Sequence, residues 1–409
     1  MIKQYSPLVT PLFSLIILTM GSALLTTFLS LKLGSIGISN IWIGGMTTAY
    51  YAGMVLGAFN LEKIILRVGH IRSYSAFASM LAVISILHGF YMDVYFWLIL
   101  RFLGGVATAG LYVVIESWIL GNTTNQNRGK FLAIYMIALY IAQALGQALL
   151  NINLSNILLM CCISGILASI SVIPLALTKV SAPIISEPQT LGIKKIFSLS
   201  PSGVMTCFIS GMVLGGIYGL YPIFIKQIGY SISDISLVMG VTILGGMLFQ
   251  FPLGKLSDVI SRRLLIGILA LCSVLVSISI IIFGGYNIIV LAILSILLGG
   301  STFCLYPIGI SHSCDRIVGN QIVSATQTLL LSYGFGAMVG PLIASILSLL
   351  LNGYGLLVFI IIVSLPLSIF VFIRKHITSP VAHEDKLDFI AVTDLTPVTN
   401  EMDPRTDIN

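Results

Sequence analysis

The chain has 409 residues, 57% of them hydrophobic and only 8% charged, with a mean hydropathy of +1.06. That composition excludes an ordinary water-soluble domain. The formal net charge of +6 is explained by basic loops facing anionic lipid, and it gives no reason to expect a nucleic-acid partner.

Apolar runs of roughly 20 residues, enough to span about 30 Å of hydrocarbon, recur about twelve times. They predict an all-α polytopic membrane protein with helices over 8–32, 41–61, 74–91, 95–120, 131–151, 156–178, 203–226, 235–254, 264–284, 288–312, 321–350 and 355–374. The short alternating strands of a β-barrel are not visible. The first run exceeds the roughly 7–15 residues of a signal-peptide core and reads as a transmembrane helix. With the N-terminus in the cytoplasm, only Lys32 and Lys226 of the 20 Lys+Arg fall outside, and Arg101 stays within a helix. Both termini are therefore expected to be cytoplasmic.

In chain order, the loop after the second helix carries Glu62, Arg67, His70 and Arg72. His88 in the third helix has a ring that titrates near neutral pH, or simply packs. The fourth helix keeps two charges inside "RFLGGVATAGLYVVIESW". Fifteen residues of helix separate Arg101 from Glu116 by roughly 22 Å, so they cannot pair. They differ by only about 60° around the axis, so Arg101, Gly105, Thr108, Tyr112 and Glu116 form a polar or small stripe. Placing such charges at mid-bilayer costs about 2.5–3.5 kcal/mol, and less toward the interface. Arg101 can snorkel to the outer surface or serve function; the shorter Glu116 has fewer routes to water and is the better candidate proton carrier.

In the fifth helix, Tyr140, Gln143 and Gln147 share a face. Residues 179–202 read as a cytoplasmic linker. Tyr218 and Tyr221 project from the seventh helix, where nearby glycines and Pro222 permit bending, and Gln327 and Tyr333 lie in the eleventh. All are candidate lining residues or plain interhelical hydrogen-bond partners. The six cysteines show no CxxC spacing and read as buried small residues. Residues 375–409 hold seven of the 14 acids with several prolines, which predicts a disordered cytoplasmic tail.

The two halves repeat at an offset of about 195 residues, aligning "LGSIGISNI" with "IGYSISDI", Gly104-Gly105 with Gly299-Gly300, and "AQALGQ" with "GAMVGP". Asp234 in this pattern reads as a helix-capping residue. A six-helix bundle over 1–178 and a second over 203–374 are expected, with a solute path between them.

The loop after the eighth helix, "GKLSDVISRR", carries Gly254, Asp258, Arg262 and Arg263. A carboxylate at a helix end facing guanidinium groups can latch two helices in one conformation and release them in another. The spacing resembles the G-x-L-x-D-x-x-x-R-R signature of the major facilitator superfamily. The first-half loop departs from it, because Glu62 stands one place late. "RVGHIR", "NRGKFLAIYM", "GGIYGLYPIF", "YGFGAMVGP" and the fourth-helix stretch together resemble the YcaD-like branch over essentially the whole chain. The resemblance implies two pseudo-symmetric six-helix bundles, a transport function and no particular substrate. Arg101 with Gly105 resembles the family's R-x-x-x-G motif, which is associated with proton coupling. Gly336 to Pro341 resembles an element that drug–proton antiporters carry in the fifth helix, but here it lies in the eleventh.

The expectation is a proton-coupled secondary transporter of a small solute, acting as a monomer in a bacterial inner or plasma membrane. An uncoupled facilitator and a non-transporting sensor or scaffold are the alternatives. An enzyme is not expected: His70, His88, His312, His376 and His383 are dispersed, and no metal, cofactor or phosphate-loop motif occurs.

Overall fold

A computed structural model describes residues 2–123, 127–152, 156–177, 192–317, 321–351, 353–377, 386–392, 394–398, 403 and 405. Regular structure among them is helical throughout: α1 (Ile2–Ser35), α2 (Asn40–Asn60), α3 (Glu62–Val68), α4 (His70–Phe90), α5 (Val94–Gly121), α6 (Arg128–Ala148), α7 (Ile157–Ile170), α8 (Val172–Ala176), α9 (Ile193–Leu199), α10 (Pro201–Gln227), α11 (Ile232–Val259), α12 (Arg262–Phe283), α13 (Ile288–Phe303), α14 (Leu305–Cys314), α15 (Ile322–Leu350) and α16 (Gly355–Ile377). Eleven segments among the described residues are long and apolar enough to cross a membrane. The predicted second helix, α2, runs among them but is less hydropathic, because Thr47, Thr48, Tyr50 and Tyr51 interrupt it.

Two predicted single helices are broken. The sixth is α7 and α8, and the tenth is α13 and α14. In each case a proline, Pro174 or Pro307, cannot donate to the carbonyl four residues earlier, at Ile170 or Phe303 where the first helix stops. The expected linker also contains α9, whose Ile196 is buried.

Equivalent residues build equivalent turns in the two halves. Gly37 (φ 76°) and Gly229 (φ 97°) take the left-handed conformation after α1 and α10. Ser39 caps α2, and Ser231 with Asp234 forms a reciprocal capping box on α11, with Ser231 N to Asp234 Oδ2 at 3.0 Å.

The aligned glycines mark helix crossings. A Cβ on Gly105 of α5 would collide with the α2 backbone at Tyr50 and Met54, and one on Gly299 of α13 would collide with α11 at Thr242. Gly146 of α6 sits against Met20 of α1, as Gly340 of α15 sits against Met212 of α10. In lipid, where burial of apolar surface drives helix association weakly, such close approach supplies the packing energy. The G-x-x-x-G-P element is therefore a packing surface here: Gly336 and Gly340 both abut α10.

The halves meet directly at the end of the molecule bearing the Gly37 and Gly229 turns, hereafter the far side. Thr48 Oγ1 donates to Met338 O (2.7 Å), Ser236 Oγ to Gln147 O (2.7 Å) and Asn151 Nδ2 to Ser236 Oγ (3.2 Å). Gly34 packs on Ile223, and Gly44 on Pro341 and Ser345. At the opposite end, the space between α5 and α14 holds residues of the chain's own tail. The tail composition predicts disorder, yet Ile390, Val392, Thr396, Val398, Asp403 and Arg405 are buried there.

Candidate functional site

A cavity of about 110 Å³ lies between the halves. Helix α1 contributes Thr19, Ser22 and Thr26, whose three- and four-residue spacing sets them on one face. Tyr50 and Tyr51 come from α2, Tyr112 from α5, Gln143 and Gln147 from α6, Tyr218 from α10 and Tyr333 from α15. Tyr218 Oη donates to Gln143 Oε1 at 2.8 Å, joining the halves across the cavity. Tyr112 Oη lies 3.4 Å from Thr19 Oγ1. Gln147 Oε1 is buried with no hydrogen-bond partner among the described residues. The wall is thus rich in hydroxyl and amide groups set among aromatic rings, a lining that can bind a polar organic solute by hydrogen bonds and stacking.

Five of the predicted residues (Tyr112, Gln143, Gln147, Tyr218 and Tyr333) come together in this wall. Other predicted residues lie elsewhere. Tyr221 is buried within the second half, bonded to Ser295 Oγ (2.6 Å) and stacked on Phe224. Gln327 is buried in α15 outside the cavity wall. His88 bonds Ile84 O (2.8 Å) and packs on Trp97. The stripe contributions of Thr19, Thr26 and Thr47, and the Tyr50-Tyr51 pair, were not singled out by sequence reasoning. Their two signals are the reduced hydropathy of α2 and the hydroxyl periodicity of α1.

The expected stripe on α5 is divided among four surroundings, with Tyr112 in the cavity wall. Gly105 faces α2 as a packing glycine. Arg101 and Thr108 border a small pocket with His88, Ser22 and Tyr50 inside the first half. Arg101 does not snorkel: it is 5% exposed, with Nη2 at 3.3 Å from Thr26 Oγ1 and its guanidinium 4.2 Å from the Tyr50 ring centre. A desolvated cation–π contact is worth about 2 kcal/mol and a charged hydrogen bond about 1.5–3 kcal/mol, comparable with the cost of the buried charge. Because Tyr50 lines both spaces, its ring stands between Arg101 and the central cavity. Thr108 Oγ1 bonds back to Gly104 O at 2.8 Å.

Glu116 is fully buried farther along α5. It accepts a hydrogen bond from Tyr135 Oη of α6 (2.7 Å) and another from Thr396 Oγ1 of the tail. The carboxyl group is therefore held by both its own half and the tail.

The loop between α11 and α12 forms an ionic cluster around the buried Arg262. Arg262 pairs with Asp258 (2.7 Å) and with Asp315 just beyond α14, and it also donates to Ser311 O at 2.8 Å. Burial pushes the Asp315 carboxyl above its ordinary range, against the opposing pull of Arg262. Arg263 Nη1 donates to Arg374 O of α16 (2.8 Å), and Gly254 supports the Phe389 ring of the tail. The first-half loop has a different form: Glu62 is buried in the first turn of α3, while Arg67 and Arg72 are exposed.

A sequence model described as "Major Facilitator Superfamily" matches residues 12–317 and 203–397. The chain is 31% identical over 386 residues to the MFS-type transporter YcaD of Escherichia fergusonii, covering 92% of this chain and 98% of that protein. The Escherichia coli K12/DH10B YcaD is 30% identical over 387 residues, with the same coverage. Among solved structures, an inward-facing, occupied bacterial homolog of the human lysosomal transporter Spinster superposes with a TM-score of 0.75 at 14% identity, covering 93% of this chain and 97% of that one. The nucleoside transporter NupG gives a TM-score of 0.72 at 15% identity, covering 90% and 98%. These likenesses, with the membrane-spanning helices, identify a multi-pass integral membrane protein of the transporter kind and not an enzyme. The chain belongs to the major facilitator superfamily and is YcaD-like.

Proposed function

We propose that the protein moves a small polar solute across the inner or plasma membrane by alternating access, coupled to protons. In this reading, bundles 1–178 and 203–374 rock about the cavity, with residues 179–202 as their connection. The tail side, with both termini, is assigned to the cytoplasm, a reading the distribution of basic residues supports. One observation carries the reading: a polar cavity bounded by both halves, with direct contacts between them at Thr48–Met338 and Gln147–Ser236 toward the far side. Breaking those contacts while bringing the opposite ends together would expose the same cavity to the other face. Tyr218 and Gln143 are the groups best placed to exchange their mutual bond for bonds to solute.

Glu116 is assigned the proton. Its carboxyl is buried, and Tyr135 offers a hydroxyl that can donate to the anion or accept from the acid. The test is a solute screen in proteoliposomes with an imposed pH gradient, repeated with Glu116→Gln and Arg101→Ala. Gradient-driven accumulation by the parent, lost in Glu116→Gln with solute exchange retained, is the expected result. Parent transport indifferent to the gradient overturns coupling.

The Tyr135 bond also fits an uncoupled facilitator, where Glu116 merely ties α5 to α6. In that case Glu116→Gln, which keeps an acceptor for Tyr135, leaves transport intact.

A further inference from the structure

We infer that residues 386–392 and 394–398 of the C-terminal tail form a self-docking plug, seated between the two halves and walling the cavity that solute must enter. The tail crosses from one half to the other in three contacts of different kinds.

The first contact holds it to the ionic loop at the rim. Lys386 Nζ donates to Ile260 O (2.7 Å) and Asp258 O (3.2 Å), and Leu387 N to Asp315 Oδ1 (3.2 Å). Leu387 O accepts from Arg262, and Phe389 N donates to Asp258 Oδ1 (2.9 Å). The tail thus takes up hydrogen-bonding capacity on all three members of the Asp258–Arg262–Asp315 cluster. Gly254 is part of the same seat: any side chain there would occupy the space of the Phe389 ring.

The second contact is with the cavity. Val392 and Asp394 lie among Tyr140, Gln143, Tyr218 and Tyr306, and Asp394 and Leu395 form part of the central wall. The third contact reaches the first half, where Thr396 donates to Glu116. Beyond it, Asp403 and Arg405 form a buried ion pair whose guanidinium donates to Ser311 Oγ of α14 at 3.1 Å.

A plug in this position has two consequences. It lies across the tail side of the cavity, while direct contacts between the halves lie toward the far side. It also keeps α5 apart from α14, the approach that opening the far side requires. Solute entry and tail docking therefore exclude one another. That competition rests on the transport reading above, whereas docking itself does not, and the experiment reads docking alone.

The test uses the full-length protein in detergent with its six native cysteines replaced. A single cysteine is placed in the cavity wall by Val55→Cys, or as a control at Leu177, which is 81% exposed. Reaction with a bulky maleimide should be slow at position 55 in the parent. It should rise about tenfold or more when Phe389→Ala, Asp394→Ala and Thr396→Ala are combined, because three tail contacts are lost together. The rate at position 177 should stay unchanged, reporting an intact fold. In a separate full-length variant, Gly254→Cys with Phe389→Cys should oxidise to an intrachain disulfide. A position-55 rate that the tail substitutions leave unchanged, or failure of that disulfide to form, overturns the plug.

Discussion

At the residue scale, Arg101 shows why a charge inside a membrane helix needs its neighbours named before its role is assigned. Its sequence position allows snorkelling, but Tyr50 and Thr26 hold it inside the first half. Arg101→Ala removes both contacts and leaves a polar pocket around Thr26 and Thr108. We expect a loss of about 2–3 kcal/mol in stability, read as a lowered melting temperature in detergent. Arg101→Lys should recover only part of it, since an ammonium lacks the planar fork that stacks on Tyr50. Glu116 differs in kind because one of its two partners, Thr396, lies in the tail rather than in its own half. Thr396→Ala therefore separates its roles: docking weakens while the Tyr135 bond and the carboxyl remain. The polar character of Arg101 and Glu116 was legible in the sequence. Their partners were not, since Tyr50 is 51 positions from Arg101 and Thr396 is 280 from Glu116.

At the scale of elements, the internal repeat is a repeat of helix crossings. Gly105 against α2 and Gly299 against α11 play the same part in their halves, each against a backbone, one residue out of register with the pairing of Gly104-Gly105 and Gly299-Gly300 read from the sequence. Gly105→Leu should push α5 away from α2 along the wall that supplies Tyr50, Tyr51 and Tyr112. The expected outcome is a sharp loss of monodisperse protein on gel filtration, with Gly299→Leu failing similarly and Gly285→Leu tolerated. A Cβ at Gly285 meets nothing within contact distance, which makes it the matched control. The alignment of the glycines could be read from the chain, but whether each faced a helix or a cavity could not. Periodicity places Gly105 on the stripe with Tyr112, and only the crossing with α2 removes it from the solute path. The breaks at α7–α8 and α13–α14 were likewise encoded by Pro174 and Pro307, though hydropathy alone passes through them.

At the scale of the whole molecule, the asymmetry between the two ends matters most. Polar contacts join the two halves toward the far side, and tail residues lie between them at the other end. Asn151→Cys with Ser236→Cys, in a chain lacking its native cysteines, should form a disulfide across the far-side contact. Oxidation should then abolish solute movement, and a reductant should restore it. Transport that persists through complete cross-linking would rule out far-side opening as a required step. The same cross-link should leave tail docking unaffected, since the tail contacts lie at the other end.

Composition and hydropathy by themselves determined the class and the number of long helices to within one marginal member, and matching motifs gave the two-fold repeat. These depend on local chemistry: a run of apolar residues must be helical in lipid, because its backbone polar groups have no other partner. The Asp258–Arg262 pairing was also legible, being one helical turn apart. Only the tertiary structure decided which polar side chains share a cavity, and that Arg101 stacks on Tyr50 outside the cavity wall. It also decided the place of the tail. An acidic, proline-bearing segment with few apolar residues reads as solvated when its own composition is the only environment considered. Here the partners that make burial favourable, Arg262, Glu116 and Ser311, are supplied by three helices distant in the chain.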